Sequence, residues 1–233
     1  MLILALDSTA QVASAALLED TREIAVFHLK NGNTHSETLL PMVKALLDTT
    51  GHTADDVDLF ALSHGPGSFT GVRIGAATVK GLAFGKQKTV IGVSTLEALA
   101  TNLLPANGIV CPVMNARRGQ VYNALFEARE GNLTRLCPDR AISVADLEAE
   151  LTQRGVPFYL VGDGADMTRD MMKTLTPLPL PHILVDQNAT SVAKCAFAAY
   201  QNGVRTTDKE LSPVYLRLPQ AERERLEREA SKS

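Results

Sequence analysis

Apolar and polar positions divide the chain into two stretches with the same grammar. Leu2–Leu6 is an unbroken apolar run ending at Asp7, Ala13–Leu18 is a second, and Glu23–Leu29 alternates with a period of roughly two. Three strands joined by short turns are expected. A helical period follows over 36–50, opened by Thr34 or Ser36 and closed by Gly51. The pattern then predicts a strand at Leu59–Ser63, a glycine turn, a helix over 68–84, a strand at Thr89–Val93 and a helix opened by Ser94 or Thr95. After the loop at Leu103–Gly108 the grammar restarts. Ile109–Met114 and Gln120–Glu127 read as a hairpin joined by Ala116-Arg117-Arg118-Gly119. Leu133–Cys137 reads as a third strand, and Ser143–Arg154 as a helix capped by Ser143. A strand at Phe158–Val161 runs into GDGAD, and a proline-rich connector at Leu175–His182 leads to a helix over 191–202. The expected class is α/β, in two lobes built on a βββα unit, 1–104 and 105–218, with a charged tail at 219–233.

Two helices carry more apolar surface than a single sheet contact needs. On a helical wheel Leu39, Leu40, Met42, Val43, Leu46 and Leu47 cover an arc of roughly 160°, against the ~100° that rests a helix on one sheet. The next helix, in FTGVRIGAATVKGLAFG, has only Arg73 and Lys80 as charges, with Gly71, Gly75 and Thr78 forming a small-residue stripe. Interior glycines cost about 1 kcal/mol each relative to alanine, so close packing is expected to offset them. This surplus predicts a contact with a second polypeptide. The candidate interface is His35, Leu39, Leu40, Met42, Val43, Leu46 and Leu47 on the first helix and Phe69, Val72, Arg73, Ala76, Val79 and Lys80 on the second.

Composition narrows the chemistry. The 233 residues are 45% hydrophobic and 21% charged, ordinary globular values. A formal charge of −3 and a pI near 6.0 argue against nucleic-acid binding by this chain alone. The opening MLILALDSTA has no basic leader and too short an apolar run to span a membrane, so a cytoplasmic location is expected. Cys111, Cys137 and Cys195 form no CxxC pair and read as thiols in a reducing compartment. The five histidines include no pair at i, i+3 or i+4, so no metal site is expected. Around Ser68 the spacing differs from the G-x-S-x-G nucleophile turn. The glycine turn at Gly65–Gly67 feeds a helix N-terminus, which favours anions, yet it has neither the Lys-Ser/Thr of a Walker loop nor the G-x-G-x-x-G order. Asp7, Ser8 and Thr9 stand where actin-like nucleotide-binding folds place a magnesium-linked acid and a phosphate turn. The competing reading is an acid bonding its own turn.

Longer strings carry a resemblance. LILALDSTAQVASAAL, HSETLLPMV, GPGSFTGVRIG with the following GLAFG, IGVSTLEALA, NARRGQVYNALF and PVYLR together resemble the TsaB (YeaZ) family. The resemblance implies two actin-like (ASKHA, ribonuclease H-like) lobes. It further implies a non-catalytic, cofactor-free subunit that supports the catalytic paralogue TsaD in transferring a threonylcarbamoyl group to tRNA adenosine beside the anticodon. The implied partners are a TsaD-like paralogue, a TsaE-like ATPase and, when alone, a second copy, joined through a bundle of the two helices above; tRNA is met through the complex. The chain departs from the pattern in lacking the glycine after Asp7, in having Asn115 where the family has an acid before A-R-R-G, and in retaining only His35 as an echo of the paralogue's metal histidines. The alternative is an actin-like ATPase or phosphotransferase using Asp7.

Overall fold

The computed structural model describes residues 1–217, so the tail expected at 219–233 lies outside the described residues. Three antiparallel strands open the chain: β1 (Leu2–Asp7), β2 (Ala13–Glu19) and β3 (Arg22–Leu29). Helix α1 (His35–Thr50) ends at Gly51, which takes the left-handed conformation at φ 71° and donates its N–H to the Asp48 carbonyl. Then follow β4 (Leu59–Gly65), α2 (Phe69–Ala83), β5 (Thr89–Ser94) and α3 (Thr95–Thr101). Ser68 and Ser94 cap α2 and α3 through their hydroxyls. The sheet order is β3-β2-β1-β4-β5, with β4 parallel to both β1 and β5.

The second sheet repeats this plan with broken strands. Strand β6 (Gly108–Arg117) pairs with β7 (Gln120–Asn123) and β8 (Phe126–Arg129) in one register, from Gly108 opposite Ala128 to Asn115 opposite Val121. The expected single strand at Gln120–Glu127 is therefore interrupted at Ala124 and Leu125. The break faces Pro112, which has no N–H to give the ladder; the Pro112 carbonyl instead accepts from Asn123 Nδ2 at 3.0 Å. The third line is likewise split, into β9 (Asn132–Arg135) and β10 (Arg140–Ser143), of which only the first was expected. Helix α4 (Val144–Arg154), capped by Ser143, leads to β11 (Phe158–Val161), parallel to β6, and to α5 (Ala165–Met171), for which the sequence pattern predicted no element. Both lobes thus follow the order βββαβα, the actin-like arrangement.

The first sheet is covered on both faces, and side-chain alternation sorts its strands accordingly. Leu4, Leu6, Leu17, Phe60 and Leu62 meet α1 and α2 on one side, while Ile3, Ala5, Ala16, Leu59 and Ala61 meet the last helix, α6 (Ala189–Gln201), on the other. Helix α6 lies in the span expected to form the second lobe, yet it packs on the first sheet. Its buried Ala189, Ala193 and Ala196 let it approach the alanines of that sheet closely.

One expectation requires correction. Leu39, Met42, Val43, Leu46 and Leu47 of α1, and Val72, Ala76 and Val79 of α2, are buried within their own lobe and do not face outward. Helices α1 and α2 touch each other on the same face of the sheet. Each therefore buries an underside against strands and a flank against its neighbour, which accounts for the wide apolar arc. Leu40 alone among the large apolar residues of that arc remains outward, at 54% exposure. Urea denaturation should separate the two classes: Leu46→Ala is expected to cost about 2–5 kcal/mol of unfolding free energy, and Leu40→Ala less than about 0.5 kcal/mol.

Candidate functional site

The two lobes meet around the end of β1. Asp7, 1% exposed, accepts at Oδ1 from the Thr9 N–H at 2.9 Å and the Thr9 hydroxyl at 2.7 Å, so the acid bonds its own turn. Burial pushes its carboxyl above the usual range against the opposing effect of the Thr9 N–H and hydroxyl donors. The N-terminus of α2 sits directly on this turn. Ser68 N donates to the Thr9 carbonyl at 2.7 Å, and the Ser8 hydroxyl donates to the Gly71 carbonyl at 2.9 Å. A Cβ on Gly71 would lie 2.0 Å from the Ser8 carbonyl oxygen, and one on Gly75 would lie 2.6 Å from Ser8 Oγ and 2.7 Å from Leu62 Cδ1. The small-residue stripe of α2 is thus an inward contact. His35 is half-buried rather than outward: its Nε2 donates to the Ala10 carbonyl at 2.6 Å and ties the start of α1 to the same turn.

Beside the turn runs a cleft of about 390 Å³, lined by Thr9, Gln11, Ser68, Phe69, Thr70, Asn115, Arg117, Tyr122, Asp163, Tyr215 and Arg217 among others. Thr9 reaches it, whereas Asp7 and Ser8 lie behind it. Residues 213–217 cross its mouth as a strap. Val214 N donates to the His64 carbonyl at 2.8 Å, Arg73 Nε donates to the Tyr215 hydroxyl at 2.9 Å, and Arg217 Nη1 donates to the Ala116 carbonyl at 2.7 Å. The Phe69 and Tyr215 rings lie 4.9 Å apart, with the Arg73 guanidinium 3.9 Å over Phe69. Gly65, at φ 119°, makes this approach feasible, since a Cβ there would lie 2.3 Å from the Val214 carbonyl oxygen.

The acid that faces the cleft is Asp163, which sequence reasoning did not single out. Its signal was the GDG that ends β11: Gly162, at φ 108°, would place a Cβ 2.4 Å from the Val113 carbonyl oxygen. Water in the cleft reaches Asp163, but the surrounding walls displace most of its solvent. That burial, with the charges of Asp186 and Asp7, pushes its carboxyl up to about 6 even though the Asn115 N–H donates to it. Asn115, the second lobe's counterpart of Asp7 at the end of its first strand, accepts from Arg117 N at 2.8 Å through its own side chain. Among the described residues no three His, Cys, Asp or Glu side chains converge to hold a metal, and no helix is long and apolar enough to cross a membrane. Burial pushes the Cys111 and Cys195 thiols up to about 12, so neither is a nucleophile near neutral pH.

Residues 29–224 match the family model described as TsaD, tRNA N6-adenosine threonylcarbamoyltransferase. The tRNA threonylcarbamoyladenosine biosynthesis protein TsaB of Bacillus subtilis is 31% identical over 95% of this chain and 96% of its own length. The chain belongs to the TsaB family. The Escherichia coli TsaB is 32% identical over 93% of this chain and 95% of its own. The solved structure of YeaZ from Pseudomonas aeruginosa superposes with a TM-score of 0.77 at 28% identity, covering 92% of this chain and 99% of that one. Within this family the reading of Asp7 as the acid of an ATPase or phosphotransferase is not favoured, and the geometry agrees, because the Asp7 carboxylate is buried in its own turn and neither it nor Ser8 lines the cleft.

Two outcomes follow from this geometry. Gly71→Ala is expected to destabilise the protein by about 1–3 kcal/mol, the forced shift of the Ser8 carbonyl outweighing the gain of about 1 kcal/mol in helix propensity; chemical denaturation reads it. Asp163 titrates in the folded state above its unfolded value, so the native protein holds the extra proton between about pH 4 and pH 6 and loses stability as pH rises through that window. Screening by cleft water makes the loss smaller than for a dry carboxyl. Asp163→Asn should therefore gain stability over the parent progressively from pH 4 to pH 6 and hold a constant difference above it, as measured by denaturation at each pH.

Proposed function

We propose that this chain is a non-catalytic subunit of the complex that transfers a threonylcarbamoyl group to tRNA adenosine, working in the cytoplasm and supporting a TsaD-like paralogue. The observation that carries the reading is the outward face of the α1/α2 pair. Leu40, with the exposed Pro41 and Ala45, lies on α1, and half-buried Ile74, exposed Ala77 and Gly81, and Phe84 just beyond the helix follow on α2 at intervals of three or four. Leu40 is 54% exposed and Phe84 78%, so both large apolar groups await cover. Ala45, Ala77 and Gly81 project little, which suits close approach by helices of a partner. From the original interface candidates this face retains Leu40, Arg73 and the partly buried Phe69 and Lys80.

A TsaD-like paralogue built on the same βββαβα plan would present a matching helix pair, making a four-helix contact; a second copy of this chain would occupy the face when the paralogue is absent. A TsaE-like ATPase joins the assembled pair, and tRNA is reached through it, in keeping with the acidic pI of 6.0. Asp7 serves as the hub of a sealed turn in this reading, and phosphate chemistry belongs to the partners.

The double variant Leu40→Glu, Ala77→Glu is expected to lose co-purification with the paralogue at least 100-fold, from two unpaired charges buried in an apolar contact, while circular dichroism and melting stay close to the parent. Cells dependent on this variant should lose threonylcarbamoyl-adenosine from their tRNA. Retained co-purification would overturn the assignment of this face.

A further inference from the structure

Arg73 lies in the outward line of α2, one turn before Ala77 and two before Gly81, and the residue is exposed. Its guanidinium is held in place nonetheless. The Cζ atom sits 3.9 Å from the centre of the Phe69 ring and 5.8 Å from that of Tyr215, and Nε donates to the Tyr215 hydroxyl at 2.9 Å. The strap that carries Tyr215 is itself pinned to the first lobe, through Val214 N to the His64 carbonyl at 2.8 Å and through the buried Leu211. A long side chain that would otherwise sample many rotamers is thus fixed before any partner arrives, which lowers the ordering cost of using it in a contact.

The guanidinium so fixed lacks the group that its counterparts elsewhere in the molecule have. Arg135, Arg140, Arg154 and Arg169 each meet a carboxylate. Arg73 meets two rings and a hydroxyl, and no carboxylate among the described residues. With Nε engaged, the edge formed by Nη1 and Nη2 retains the paired N–H groups that match the two oxygens of a carboxylate. Nothing on α2 supplies one: its charges are Arg73 and Lys80, seven residues apart and so on one flank, in a chain whose net charge is −3. A second copy offers little more, because the acids of α1 are Asp48, which is paired with Lys44, and Glu37, which accepts from the Thr34 hydroxyl at 3.0 Å. RNA phosphate is the other anion that suits a guanidinium, and the overall negative charge of the chain opposes it.

We infer that Arg73 is the charged anchor of the α1/α2 face, receiving an Asp or Glu carboxylate of the paralogue at the rim of the apolar contact, with Tyr215 as the residue that positions it. The inference rests on the docking reading above and adds the sign and the place of the partner's charge. A guanidinium at the edge of such a contact speeds association and selects against partners without the matching acid.

Calorimetric titration of the full chain with the full-length paralogue at several sodium chloride concentrations tests it. The parent's dissociation constant is expected to rise about tenfold between about 50 and 300 mM salt. Arg73→Met should bind about tenfold more weakly at the lower concentration and lose most of that salt dependence, with a melting temperature close to the parent's, as suits an exposed position. Tyr215→Phe keeps the ring and removes only the hydroxyl, so it should weaken binding about threefold in the parent and leave Arg73→Met unchanged. A role in folding alone would not alter the salt dependence. Salt-independent binding by the parent, undiminished binding by Arg73→Met, or an equal effect of Arg73→Met on self-association overturns the inference while the docking face stands. Salt-sensitive tRNA binding by the isolated chain that Arg73→Met abolishes also overturns it, by giving Arg73 to RNA. Absence of any binding between the parent and the paralogue overturns both readings.

Discussion

The seating of the α2 N-terminus on the Asp7–Thr9 turn is the contact on which the rest of this molecule depends. It needs glycine at 71 and 75, because side-chain carbon at either position would overlap Ser8. Glycines inside a helix weaken it, and a protein retains them where the backbone approach they permit returns more than they cost. Here the return is the position of the whole helix: with its N-terminus on the turn, α2 lies beside α1, and the two share one face of the first sheet.

That arrangement has opposite consequences for the two sides of α2. On its inner side the Gly71 carbonyl accepts from the Ser8 hydroxyl, next to an Asp7 carboxylate that is buried and bonded by Thr9 in the same turn. Its outer side, together with Leu40 and Phe84, is left apolar and uncovered. A buried turn and an exposed apolar surface thus lie on opposite sides of one helix.

The strap at 213–217 links this face to the inter-lobe cleft. Arg73 stands on the outward side of α2, stacks on Phe69 and donates to Tyr215, whose neighbour Arg217 holds the second lobe through the Ala116 carbonyl. The helix pair, the cleft mouth and the second lobe are joined by short, directional contacts.

Local signals in the sequence determined the element order of the first lobe, the helix caps at Gly51 and Ser143, a third cap at Ser94 or Thr95, and the two-lobed plan, because hydrophobic period and capping chemistry act between residues near in the chain. GPGSFTGVRIG with its companion strings was likewise sufficient for the family. The split of the Gln120–Glu127 strand opposite Pro112 was legible only once the register across the hairpin was known. Tertiary structure alone decided which way α1 and α2 turn their apolar residues: a wheel counts greasy positions, but whether a sheet, a neighbouring helix or solvent meets them depends on contacts between distant segments. The same holds for α6, whose alanines suit either lobe by composition and fit the first sheet by shape, and for Asp163, an ordinary polar residue in the sequence whose place at the cleft arises only where the two lobes meet.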